Sequence, residues 1–164
     1  MYPVRNFKVL ALTLGIILIG CSTPAELPTP DKIGTKERLR VISGDQAARV
    51  VNRMHGRTVA TTANVIAEYG QGEKKDILYI SRYAEPQAAK KAYDLMLEKM
   101  AAAGKSPFYH LMPMAQYQGK AYMTLGMGAV HYIYQSGNAL LWFQTYQSPG
   151  RSLPPRLVAL YPMR

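Results

Sequence analysis

Between residues 108 and 147 the chain alternates strand-like runs with connections too short to hold a crossover. Four runs (108–117, 120–125, 128–135 and 139–147) are separated by Gln118-Gly119, by the glycines around Met127, and by Ser136-Gly137-Asn138. Antiparallel neighbours join through two or three such residues, whereas a parallel pair needs a connection of about a dozen or more. The C-terminal part is therefore expected to form an antiparallel meander. Gly126-Met127-Gly128 contains a Gly-x-Gly pattern, but it joins strand to strand. A phosphate cradle needs a strand running into a helix, so this reads as a turn or bulge.

Upstream, helices interrupt the strands. Residues 38–42 form a short run, and Asp45 reads as the N-cap of a helix over 46–55 closed by Gly56. Ala47, Val50, Val51 and Met54 fall at i, i+3, i+4 and i+7, one helical face. Residues 61–69 alternate, 70–75 form a glycine turn, and 76–83 carry apolar residues on both faces, as a central strand does. The clearest helix is 85–103, with Pro86 in its first turn, Gly104 past its end, and an apolar stripe of Ala89, Ala92, Met96, Met100 and Ala103 beside Tyr93. Lys90, Lys91, Asp94 and Glu98 form its wet side. Residues 149–155 read as a loop and 156–161 as a short terminal helix. The expected class is α+β: one mainly antiparallel sheet with two main helices packed on it and a short C-terminal helix. The regular strand-helix-strand crossovers of a doubly wound nucleotide fold are missing.

The first 21 residues have a separate logic. Arg5 and Lys8 precede an apolar run, residues 9–20, that ends at Cys21, the sole cysteine of the 164. Twelve residues make about 18 Å of helix, short of a hydrocarbon core of about 30 Å. The order of basic start, apolar core and small residue is that of a secretory signal. An ordinary signal wants a small residue at −3 of the cut, where this chain has Leu18. Leu18-Ile19-Gly20-Cys21 instead resembles the lipobox of bacterial lipoproteins, with Ile19 a less common choice at its second position. The resemblance implies cleavage before Cys21, a thioether-linked diacylglycerol on its sulfur, and acylation of the new amino terminus. It implies a membrane partner through that lipid, in the cell envelope. With Ser22 after the cysteine, it implies the outer membrane in a Gram-negative cell.

Residues 1–20 are thus expected to be a signal peptide, 21–36 a lipidated N-terminus with a linker, and 37–164 one domain. Pro24, Pro28 and Pro30 and the lack of periodicity mark the linker, whose roughly 15 residues would reach about 20–45 Å. Cleavage removes two cations, so the formal charge of +10 becomes +8. Such a surface is drawn to anionic headgroups or envelope polymers. Nucleic acid is not expected, for want of a basic-aromatic motif and because the address is outside the cytoplasm. Without Cys21 the mature chain has no cysteine for a disulfide or a thiolate metal site.

No catalytic constellation stands out. His55, His110 and His131 lack metal-ligand spacing and neighbouring carboxylates, so no metal or cofactor is expected. Ser81 has no nucleophile-elbow glycines around it. Two sheet surfaces are candidates for binding: Tyr69, Tyr79 and Arg82 with Asn64 and Glu68, and Tyr132 and Trp142 with Tyr134 and Phe143. Tyrosine and tryptophan suit interfaces because an apolar body carries one polar tip, though the same property suits sheet packing. Asn52 to Gly56, the Tyr69-Gly70 strand end, and the tyrosine-bearing strand leading into the alanine-rich helix are loosely similar to bacterial envelope domains of unknown function. That resemblance implies no catalytic residues. The expectation is a non-enzymatic, lipid-anchored domain that binds an envelope protein or anionic polymer. The alternatives are a small-ligand carrier or sensor and, third, a wall- or lipid-acting hydrolase.

Overall fold

Hairpins generate most of the architecture. The computed structural model describes residues 27–102, 104, 106–147 and 152–163. In chain order the elements are β1 (Lys32–Ile33), β2 (Lys36–Ser43), α1 (Gly44–His55), β3 (Ala63–Tyr69), β4 (Asp76–Arg82), α2 (Pro86–Ala101), β5 (Phe108–Pro113), β6 (Ala121–Gly126), β7 (Ala129–Ser136), β8 (Ala139–Thr145) and α3 (Pro155–Leu160). The strands form one antiparallel sheet in the order β1-β2-β3-β4-β8-β7-β6-β5. β6 turns into β7 through Met127 (φ 49°) and Gly128 (φ 72°), the paired positive-φ geometry that matches strand twist. At the β7–β8 turn, Asn138 Nδ2 donates to the Tyr83 carbonyl at 2.9 Å, and the Tyr83 N–H donates to the Asn138 carbonyl at 2.9 Å. These bonds tie the hairpin tip to the end of β4, its neighbour through β8.

The expected α+β class is corrected. The protein is mostly β, a curled eight-stranded half-barrel with three short helices of 12, 16 and 6 residues. The physical reason is visible in β7 and β8, which are apolar on both sides: Tyr132, Tyr134, Leu141 and Phe143 face one way, Ile133, Leu140 and Trp142 the other. A twisted sheet with two apolar faces needs cover on both. On one face the core joins Val65, Ala67, Leu78 and Ile80 to residues outside the main helices: Leu27, Ile33, Met114, Leu153, Leu157 and Tyr161. On the other, Ala89, Tyr93 and Met100 of α2 meet Ile133 and Leu140, while α1 lies along β2 and β3.

Other boundaries moved for local reasons. The run 108–117 stops at Pro113, which has no N–H for a ladder, and a 3-10 turn follows at Ala115–Tyr117. His110 adopts φ 54° where the β5–β6 register shifts, so β5 carries a bulge. Helix α1 starts at Gly44 with Ser43 at its cap, placing Asp45 in the first turn, and Gly56 closes it in the left-handed conformation (φ 62°). Helix α2 ends at Ala101, with Ala102 as its cap, short of Gly104.

The proline-rich segment is also different from a free linker. From Leu27 onward it lies against the sheet, and β1 sits within it. Tyrosine hydroxyls fasten it: Tyr161 donates to the Pro28 carbonyl at 2.9 Å and Tyr69 to the Pro30 carbonyl at 3.0 Å. Tyr134 likewise donates to the Leu157 carbonyl at 3.3 Å, and the Leu153 N–H donates to the Tyr117 hydroxyl at 3.0 Å. Each ring fills apolar space while its hydroxyl pairs with a backbone group of a terminal segment. Cys21 and residues 22–26 lie outside the described residues.

Candidate functional site

Strand alternation divides the residues expected to form a binding surface. Tyr69 and Tyr132 point into the core shared with the N-terminal segment. Tyr69 is fully buried, and Tyr132 stacks on Phe143 at 6.2 Å. Burial pushes the Tyr69 hydroxyl up to about 12. Arg82 pairs in register with Ala63 and Ala139, which puts it on the same side, at the sheet end near Tyr161. None of these three joins an open aromatic surface.

Tyr79 and Trp142 are register partners on β4 and β8 and face the other way. Both are half-buried. They floor a cleft between α1 and α2, walled by Val51, Met54 and His55 on α1 and by Met96 on α2, with Ser81, Tyr83 and Leu140 beside them. Met54, assigned by periodicity to the buried face of its helix, is 48% exposed at the rim. Burial raises the hydroxyls of Tyr79 and Tyr83, so both stay protonated donors through neutral pH.

The polar groups beneath the cleft are engaged inside the fold. Ser81 Oγ donates to Asn64 Oδ1 at 2.8 Å, and Asn64 Nδ2 donates to Thr61 Oγ1 at 2.7 Å. Trp142 Nε1–H donates to His131 Nδ1 at 2.9 Å. An indole N–H can only donate, so Nδ1 must be the bare nitrogen. Nε2 then carries the hydrogen, which it gives to the Gly126 carbonyl at 3.0 Å. The Trp142 contact requires the neutral ring, while the Gly126 contact would survive protonation. Burial lowers the His131 pKa, opposed in part by the Gly126 hydrogen bond. Phe108 meets His131 and Trp142 edge-on at 5.1 and 5.3 Å, completing the group.

Chemically, this is an aromatic cleft with a buried support. It has about 30 Å³ of free volume, the space of roughly one water. A wider cleft of about 240 Å³ opens to solvent at the β6–β7 turn, lined by Tyr109, Leu125, Gly128, Ala129, Val130, Thr145 and Tyr146. Both fall below the roughly 300–1,000 Å³ of pockets that enclose small ligands. Among the described residues, no three His, Cys, Asp or Glu side chains come together as metal ligands.

Tyr79 and Trp142 are brought together, while Tyr69, Tyr132 and Arg82 go elsewhere. Sequence reasoning missed His131 and Phe108 as the support for Trp142. Strand parity carried part of that signal, because odd residues of β7 face the even residues of β8. No protein-family model, curated protein or solved structure matches the chain.

Proposed function

We propose that the protein is a lipid-anchored lipoprotein of the bacterial cell envelope whose domain binds another envelope component without catalysing a reaction. The observation that carries the address is Leu18-Ile19-Gly20-Cys21 behind a basic start and an apolar core, with Cys21 the sole cysteine. Diacylation stabilises membrane attachment by about 0.8 kcal/mol per buried methylene, and two chains suffice for lasting attachment. In a Gram-negative cell, Ser22 favours the outer membrane.

The binding reading rests on the cleft between α1 and α2. Its aromatic floor and exposed Met54 offer apolar surface at the rim of the fold, and its polar groups are held by each other. Tyr79, Trp142 and Met54 are residue types that anchor protein contacts. The small volume favours a side chain of a protein partner over an enclosed metabolite.

A photo-crosslinking residue at Met54, in the full chain in native envelopes, tests this reading. A single protein adduct that Trp142→Ala weakens is the expected result. Adducts to lipid alone, or a protein adduct indifferent to Trp142→Ala, would count against it.

A further inference from the structure

The described chain begins fastened to the fold, and this limits how far the domain can stand from a membrane. Leu27 is 4% exposed among Leu153, Leu157 and Tyr161. Beyond it, Tyr161 holds Pro28, Arg38 holds the Thr29 carbonyl at 2.7 Å and Asp31 at 2.8 Å, and Tyr69 holds Pro30. The free tether cannot include these residues. From Cys21 to Leu27 is a step of six residues, which span at most about 20 Å fully extended. A domain of this size is about 35 Å across. A tether shorter than the domain is wide cannot let Leu27 face away from the surface to which Cys21 is fixed.

Helix α3 lies at that end. Leu157 and Tyr161 anchor its inner side beside Leu27 and Pro28. On its outer side Arg156 and Leu160 are exposed, Leu160 by 43%. They stand at i and i+4 and so share a face. A guanidinium suits a phosphate, and a leucine suits the boundary between headgroups and acyl chains. The chain's net positive charge draws the domain toward an anionic leaflet.

Resting on the lipid-anchor reading above, we infer that α3 is the membrane-facing surface of the domain, with Arg156 and Leu160 apposed to anionic phospholipid headgroups. The cleft between α1 and α2 lies across the sheet from this contact and stays available to a partner.

The test uses the full chain, lipidated in cells and reconstituted into vesicles of phosphatidylethanolamine and phosphatidylglycerol. Because lipid occupies Cys21, a single introduced thiol takes an environment-sensitive fluorophore. One label goes at Leu160→Cys, with Ala159→Cys as a second position on the same exposed side. The reference goes at Met127→Cys, in the β6–β7 turn. That turn is at the far end of β7 from Ser136, whose Oγ donates to the Pro162 carbonyl just past α3 at 2.8 Å.

Labels at 159 and 160 are expected to shift to the blue and lose emission to lipid-borne quenchers. The label at 127 should keep its aqueous spectrum, and Arg156→Glu should weaken the quenching at 160. Protein shown by intact mass to carry the diacylglycerol, yet quenched no more at 159 and 160 than at 127, overturns the inference and leaves the anchor standing. Protein that lacks the lipid overturns both.

Discussion

Trp142→Phe isolates one hydrogen bond and reads out the charge state of a buried ring. The substitution keeps an aromatic body opposite Tyr79 but removes the N–H that His131 Nδ1 accepts at 2.9 Å. His131 is fully buried, so its Nδ1 loses its only described donor. Leaving a buried acceptor unpaired costs about 1–3 kcal/mol, and the weakened edge contacts with Phe108 and His131 add about 0.5–1 kcal/mol. A loss of about 2–3 kcal/mol at neutral pH is expected from urea unfolding followed by far-UV circular dichroism.

The pH profile sharpens the test. In the folded wild type the His131 pKa lies below its ordinary value, first because of burial. Below the unfolded pKa of about 6.5 the unfolded chain therefore binds a proton that the folded chain refuses. His131 thus contributes stability that is fully present above about pH 6.5 and is lost as pH falls toward the folded pKa, with a slope of at most about 1.4 kcal/mol per unit. His131→Gln keeps an acceptor for Trp142 and a donor for Gly126 but cannot titrate. It should flatten the profile between about pH 7.5 and 5.5. Trp142→Phe should also make it shallower, because the freed Nδ1 can take a proton. A His131→Gln profile as steep as the wild type's would refute the assignment of this acid sensitivity to His131.

Three further perturbations follow from the packing. Gly126→Ala places a Cβ 2.5 Å from Phe108 Cδ1 and 2.9 Å from the Pro107 carbonyl, which must displace the ring that abuts His131 and Trp142, so a stability loss of about 1–3 kcal/mol is expected by denaturant unfolding. Lys36→Met removes the 2.7 Å partner of Asp76, whose side chain is 3% exposed, leaving a buried carboxylate with a long 3.4 Å bond from the Tyr146 N–H; a loss of about 3 kcal/mol is expected in the same assay. Tyr161→Phe deletes the hydroxyl that holds Pro28, so amide exchange at Arg38, whose N–H donates to the Asp31 carbonyl at 2.8 Å, should quicken while β7 and β8 stay protected.

The sequence disclosed its local structure better than its layers. The meander was legible because Gln118-Gly119 and Gly137-Asn138 are strong turn signals between alternating runs, and both helices announced themselves through apolar periodicity and flanking Gly56 and Pro86. The class was misread because apolar residues on both sides of β7 and β8 do not say what covers them. On one side the cover is Leu27 and Leu153, from segments read as linker and loop, with Leu157 and Tyr161 of the short terminal helix. The prolines at 28 and 30 suggested a free linker, yet their carbonyls are acceptors for tyrosines 133 and 39 positions away. A hydrogen bond at that separation leaves no periodic trace.

The candidate surface is divided for a similar reason. Tyr69, Tyr79, Arg82, Tyr132 and Trp142 looked alike as residue types, but strand parity sends Tyr69 and Tyr132 inward and leaves only Tyr79 and Trp142 facing each other in a cleft. Register is a pairwise property, fixed by which residues of β4 and β8 lie opposite one another. His131 was weighed as a metal ligand. Its neutral tautomer instead supports Trp142, which requires knowing that β7 and β8 are neighbours.

Metabolic labelling with radioactive palmitate, on the wild type and Cys21→Ser side by side, decides whether Cys21 carries the lipid. A labelled wild type whose mature chain starts at Cys21, and an unlabelled variant of the full precursor mass, are expected. Equal labelling of the two chains, or a wild type without label that starts elsewhere, would contradict the lipid anchor at Cys21.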